Sequence, residues 1–167
     1  MDPRLSTVCT THGHDRHLDL LPVEQEPPLA AHLAIARGGY WHHGIYVGNG
    51  KVVHYAGLVS AWRFGPVEEI PLSRFAAGHT LWMLPTRPRF GAMETIRRAR
   101  SRIGECRYRL LTNNCEHLCM WCLTGCSYSG QVRRCLRDPV AALRTAFGIV
   151  LTLCGMHDFA MQACSGV

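Results

Sequence analysis

Between Leu29 and Leu84 apolar and polar positions alternate in short runs broken by glycine, and after Pro85 and Pro88 the spacing lengthens to that of helices. The first part predicts strands at His32 to Ala36, His43 to Val47 and Val52 to Tyr55, with a turn at Arg37-Gly38-Gly39. The last two form a hairpin, because the Gly48-Asn49-Gly50 step supplies the positive backbone angles of a tight turn and Val47, Val52 and Val53 flank it. Further strands are expected at Val59 to Phe64, Pro66 to Ile70 and Thr80 to Leu84, with one helical turn at Ser73 to Ala77.

In the second part Met93, Ile96, Ala99 and Ile103 recur at helical spacing until Gly104. A second helix is expected from an Asn114 cap through Cys115, Leu118 and Trp121 to Gly125. A third covers Ser129 to Leu136, and Asp138-Pro139 opens a last apolar segment from Val140 to Met156. The last segment is shorter than the roughly 20 residues of a spanning helix and carries Arg144, so it is expected to pack or to lie on a membrane surface. The fold class is therefore α+β: strands first, helices after.

With 167 residues, 47% of them hydrophobic, the chain suffices for one core. Residues 1–28 have no sustained apolar period and are expected to be a mobile tail, 29–137 the main domain, and 138–167 a C-terminal apolar helix and tail. His12, His14 and His17 in the first segment lack the paired spacing of a closed metal site. No secretory signal pattern opens the chain, which points to the cytoplasm. Nine cysteines, four of them crowded at Cys115, Cys119, Cys122 and Cys126, do not form a dispersed disulfide framework, so free thiols are expected. The net charge of +6 is concentrated in arginines at 97–109 and 133–137. Without aromatic platforms or groove-reading motifs this argues against nucleic acid and for a solvated helix face, or for contact with an anionic membrane surface.

Of the cysteines, Cys115 alone has clear chemistry, because a thiol in the first turn of a helix meets the positive end of the helix dipole and unpaired amides. The same amides can donate to an oxyanion. A thiol nucleophile needs a base, and the base needs an orienting partner. His42, before the first hairpin strand, and His54, at the end of the second, are brought together by the Asn49-Gly50 turn. His43 competes with His42 for the role of base, since alternation points the two to opposite faces.

The block His42-His43-Gly44-Ile45-Tyr46-Val47-Gly48, followed by Val52-Val53-His54, resembles the histidine block of the lecithin:retinol acyltransferase family. Asn113-Asn114-Cys115-Glu116-His117-Leu118 resembles its cysteine block, with Leu118 in place of the usual aromatic. The resemblance runs from about His32 to Val132 and includes Arg37-Gly38-Gly39-Tyr40, Ser101 to Glu105, Tyr108 to Leu111 and Ser129-Gly130-Gln131-Val132. It implies a permuted papain-like, NlpC/P60-type fold, an antiparallel sheet packed against helices with the nucleophile at a helix N-terminus. It further implies a Cys115, His42 and His54 triad, with Tyr108 and Asn114 supporting the oxyanion; His117, two positions after the thiol on the helix, is expected to point away. The reaction implied is a two-step acyl transfer from an ester, in particular a phospholipid, to an alcohol, amine or water, with no metal or cofactor. Animal members of the family carry a C-terminal membrane anchor; this chain is more similar to compact bacterial members.

Three other readings compete. Cys115, Cys119 and Cys122 match the spacing of the iron-sulfur motif of radical S-adenosylmethionine enzymes, but they fall on one helix face in a chain too short for the barrel, so a buried thiol stripe is preferred. A cysteine peptidase or amidase on the same scaffold is the second. A non-catalytic binding module using the Arg97 to Arg109 surface is the third.

Overall fold

The computed structural model describes residues 21–22, 24–60 and 63–153. The N-terminal tail, with His12, His14 and His17, and the segment after residue 153 lie outside them. Strands β1 (Leu21–Pro22), β2 (His32–Arg37), β3 (Tyr40–Gly48), β4 (Lys51–Ser60), β5 (Arg63–Pro71) and β6 (Trp82–Met83) form a six-stranded sheet ordered β1-β6-β2-β3-β4-β5. All its pairings are antiparallel. Helix α1 (Leu72–Ala76) follows β5, and α2 (Ala92–Arg100), α3 (Cys115–Thr124), α4 (Gly130–Arg137) and α5 (Pro139–Leu153) follow among the described residues. The architecture is α+β, as the patterning predicts.

The β3–β4 hairpin turns where it is expected, with Asn49 at φ 52° and Gly50 at φ 64°. Two boundaries differ from expectation. β3 begins at Tyr40, so His42 lies within the strand, and β4 runs on past His54 to Ser60. Val59 to Phe64 is accordingly not a strand of its own but the meeting ends of β4 and β5, which pair across the ribbon from Lys51↔Pro71 to Ser60↔Arg63. Apolar alternation marked the residues as extended but carried no signal that they divide between two paired strands.

Side-chain alternation gives the sheet two apolar faces. Ile45, Val47, Val53, Tyr55 and Val67 pack against Ile96 and Ala99 of α2 and Leu118, Cys119, Cys122 and Leu123 of α3. Leu33, Ile35, Tyr46, Val52 and Ile70 enclose Phe75 of α1 on the other face. Each such fully buried side chain contributes about 1.5–3 kcal/mol through removal from water. Cys119 and Cys122 thus form the expected core stripe. Cys106, Cys115, Cys119, Cys122 and Cys135 are free thiols, whereas Cys126 is disulfide-bonded, against expectation.

The basic run on α2 is not simply a solvated face. Arg98 donates to Trp121 O at 3.0 Å and stacks between Phe90 and Trp121, Arg102 pairs with Glu105, Arg97 with Glu94 and Arg100 with Glu69. At the opposite end, α5 sits directly on the β2–β3 turn: a Cβ on Gly148 would stand 1.7 Å from Gly38 O. The outer side of α4 and α5 exposes Leu136, Val140, Leu143, Phe147 and Val150. No helix among the described residues is long and apolar enough to cross a membrane.

Candidate active site around Cys115

Cys115 is the first residue of α3. Asn114 caps the helix: its side chain accepts from His117 N at 3.1 Å, and its Nδ2 donates to Leu110 O at 2.8 Å. His117 closes the cap from the third helical position, with Nδ1 at 2.9 Å from Asn114 Oδ1 and 3.4 Å from Asn114 N. One ring nitrogen serves only one of these at a time, and the shorter contact makes Nδ1–H the donor to Oδ1. The side chains of Asn114 and His117 are therefore committed to shaping the helix start. The Asn114 side chain holds the helix start, and with it Cys115, in place.

The thiol occupies a gap in the sheet. β3 pairs with β2 from His32↔Ile45 to Arg37↔Tyr40, but its pairing with β4 begins only at Gly44↔His54. Over residues 40–43 the β4 side of β3 is open, and the start of α3 fills the opening. Cys115 Sγ lies 4.0 Å from Trp41 O, and the main-chain N–H groups of His43, Glu116 and Cys115 itself are directed at the sulfur. Burial pushes the thiol up to about 11, opposed by those amides and reinforced by the Glu116 charge. The helix start provides the amide cradle that the sequence predicts, but burial outweighs it and the group rests as a thiol.

The histidine doublet is divided between the faces. His42 points to the α1 face, where its Nε2 lies 2.9 Å from His54 Nδ1 and its ring 5.4 Å from Phe75. His54 is also against Phe75, at 5.6 Å, and Glu68 Oε1 stands 3.3 Å from His54 Nε2. That contact is close enough for an ion pair but misaligned for a hydrogen bond, so His54 Nε2 remains unsatisfied. Burial lowers His42 well below the usual histidine value, with the Arg37, His54 and His43 charges adding to it, and burial lowers His54 to about 4. Both rings are neutral at pH 7. Nδ1 of His42 has no hydrogen bond among the described residues.

His43 points to the α3 face and has both nitrogens engaged, Nδ1 at 3.0 Å from His32 Nε2 and Nε2 at 3.0 Å from Gln131 Nε2. Tyr108 lies in the loop between α2 and α3, its ring edge-on to Tyr55 at 5.1 Å. Burial, and the nearness of Cys115, Tyr40 and Tyr55, raise its hydroxyl so that it stays a neutral donor. Glu105 holds that loop, accepting from Tyr55 OH at 3.0 Å and Asn113 Nδ2 at 3.0 Å while paired with Arg102. These bonds hold it down at about 2.

Cys115 and Tyr108 lie with the α3-face core, and the His42–His54 pair lies on the α1 face of the same end of the β3–β4 hairpin. A thiol held by main-chain amides and, on the strand that supplies one of those amides, a neutral imidazole with an unbonded nitrogen are elements of nucleophilic acyl chemistry.

A family model described as lecithin retinol acyltransferase matches residues 25–128, more than half of the chain. The chain belongs to this family. Membership suggests acyltransferase or acyl hydrolase activity. No curated protein matches the chain. Within the matched span of this lecithin retinol acyltransferase family member, Phe75 and Glu116 are site residues that sequence reasoning missed, and Gln131, just beyond the span, is a third. Phe75 carried no motif, and Glu116 and Gln131 were quoted only as parts of blocks.

Proposed function

We propose that the chain is a thiol-dependent acyltransferase or acyl hydrolase acting on an ester, with Cys115 as nucleophile, His42 as general base and His54 as the residue that orients it. The observation that carries the reading is the position of Cys115 Sγ between Trp41 O and the His43 N–H, the main-chain groups on either side of His42. His43 is disfavoured as base because both its nitrogens are already bonded. In His42, Nε2–H donates to His54 Nδ1 and leaves the Nδ1 lone pair for the thiol.

In the first half-reaction the Cys115 proton passes to His42 Nδ1 as sulfur attacks the ester carbonyl. The oxyanion forms beside the first-turn amides of α3 and the Tyr108 hydroxyl, the C–O bond breaks, and the leaving alcohol takes the proton from His42. The acyl group is left as a Cys115 thioester. An alcohol, amine or water then gives its proton to His42, attacks the thioester, and releases Cys115. No step requires a metal or cofactor.

A lipid donor is favoured by the outer side of α4 and α5. The exposed stripe Leu136, Val140, Leu143, Phe147 and Val150 is bordered by Arg133, Arg134, Arg137 and Arg144, the pattern of a helix that lies on an anionic bilayer. The opposite side of α5 rests on the turn that leads into Tyr40 and His42. Membrane contact would therefore bring lipid esters close to the thiol. The cytoplasm remains the expected compartment.

The test is intact mass spectrometry after incubation with a phospholipid or p-nitrophenyl ester and no acceptor. An acyl adduct is expected on the wild type and not on Cys115→Ala; an adduct that survives the substitution refutes the assignment. Parallel incubation with peptide amides separates the amidase reading. Co-flotation with vesicles containing anionic lipid, and not with neutral ones, is expected for the membrane surface; equal flotation with both refutes the electrostatic part.

A further inference from the structure

The opening at β3 is closed by a side chain. Gln131, in the first turn of α4, meets Trp41 as a neighbouring strand would: Trp41 N donates to Gln131 Oε1 at 2.7 Å, and Gln131 Nε2 donates to Trp41 O at 3.0 Å. These are the main-chain groups that β4 leaves unpaired, and Trp41 O is the carbonyl against Cys115 Sγ. We propose that Gln131 is a positioning residue, an amide that replaces the missing strand at Trp41 and holds the main-chain rim on which the Cys115 thiol rests. The proposal rests on Cys115 being the nucleophile.

Two networks fix the amide. On one side Glu116, adjacent to Cys115, accepts from the Ser129 hydroxyl and from Gln131 N at 3.1 Å, so the first turn of α4 is tied to the first turn of α3. Burial works to raise Glu116, and the bonds from the Ser129 hydroxyl and the amides of Gln131 and Gly130 oppose it and favour the carboxylate. On the other side the second Nε2 hydrogen of Gln131 faces His43 Nε2. His43 must then accept at Nε2 and donate from Nδ1 to His32 Nε2, and His32 must donate from Nδ1 to Thr86 Oγ1, 2.8 Å away. Every donor meets an acceptor only if both histidines are neutral, and burial lowers both. The chain of bonds allows a single orientation of the Gln131 amide.

The charged group facing this network is Glu116 from α3; His42, the next residue on β3, is neutral and points to the other face. Asparagine would be a methylene short. Methionine keeps the length and loses both bonds to Trp41. Glutamate has the acceptor but no second donor while ionised, and it sets a second carboxylate beside Glu116; once protonated it has one donor and one acceptor.

The experiment compares wild type, Gln131→Met and Gln131→Glu for the rate of Cys115 acylation by a p-nitrophenyl ester, the pH profile of iodoacetamide alkylation of Cys115, and thermal melting. For Gln131→Met the expected result is acylation slowed about tenfold or more in folded protein and an alkylation profile moved to higher pH, because the His43 N–H drifts from the sulfur. Gln131→Glu is expected to match it at high pH and to recover as pH falls. A folded Gln131→Met with wild-type acylation and an unmoved profile overturns the proposal. Amide hydrogen exchange of Trp41 in the wild-type protein decides the matter if neither variant folds: protection is expected, and exchange at the rate of a free amide overturns it. Absence of any acyl adduct on wild-type Cys115 would instead be the failure of the nucleophile assignment, which the Trp41 measurement does not share.

Discussion

Phe75 is the only buried residue of α1, is fully buried, and is in ring contact with both His42 and His54. Its truncation therefore acts on stability and on the histidine pair together. Phe75→Ala is expected to cost about 3–5 kcal/mol, as for other buried phenylalanines. For a chain of this size that lowers the melting temperature by roughly 6–20 °C. Phe75→Leu keeps most of the volume and should cost about 1.5 kcal/mol or less. The second effect follows from why the histidines are neutral: burial is the largest cause of the lowered values of His42 and His54. Water admitted at the vacated ring position relieves that burial, and both values rise toward the usual 6.5. A base is inactive once protonated, so the acid limb of Cys115 alkylation, expected well below pH 6.5 in the wild type, should move up toward pH 6.5 in Phe75→Ala and only slightly in Phe75→Leu. The assay is the rate of iodoacetamide incorporation at Cys115, resolved by peptide mass from the exposed Cys106, between pH 4 and 9. A Phe75→Ala protein that melts lower yet keeps the wild-type acid limb would refute the link between this ring and the base.

Asn114→Ala removes the cap acceptor and the Nδ2 bond to Leu110 O and is expected to destabilise by about 2–3 kcal/mol in urea titrations; Asn114→Asp, which retains the acceptor, should lose about half as much, and equal losses would show that the cap is not what matters. Acid should weaken the protein through the buried histidines: a folded-state value of about 4 for His54 against the ordinary 6.5 means that stability is full above pH 6.5 and falls as the unfolded chain takes up the proton that the fold excludes. For His54 alone the loss approaches about 3 kcal/mol by pH 4. Urea midpoints at pH 7, 5 and 4 should decline in that order, and His54→Gln should flatten the decline; an unchanged slope in that variant counts against the buried, neutral His54.

Much of the fold was legible because the signals were local. Asn49-Gly50 between β-branched residues set the hairpin, the Asn114 cap set the start of α3, and Asp138 does cap α5 by accepting from Val140 N and Ala141 N. Cys115 was legible for the same reason. What escaped was non-local. Alternation told that His42 and His43 face opposite ways but not which nitrogens of His43 are already taken, because its partners His32 and Gln131 are 11 and 88 positions away. The same distance hid Phe75, a lone aromatic in a five-residue helix. The arginine run misled in part, since charge counting cannot see that Trp121 and Phe90 draw Arg98 into the molecule.

Adjacent histidines on a strand carry a hazard for folding. If β3 slid by one residue against β4, His43 would exchange sides with His42 and a plausible but wrong imidazole would be offered on each face. Gly44 makes that error unaffordable. Even a bare Cβ there would come within 2.5 Å of Val52 Cγ1 and 3.0 Å of the Phe75 ring, and the slipped strand would drive in the whole side chain of His43 or Ile45. The glycine beside the doublet thus works as a proofreading position: it admits one alignment of the hairpin and rejects its nearest mistakes by collision, before any chemistry is attempted.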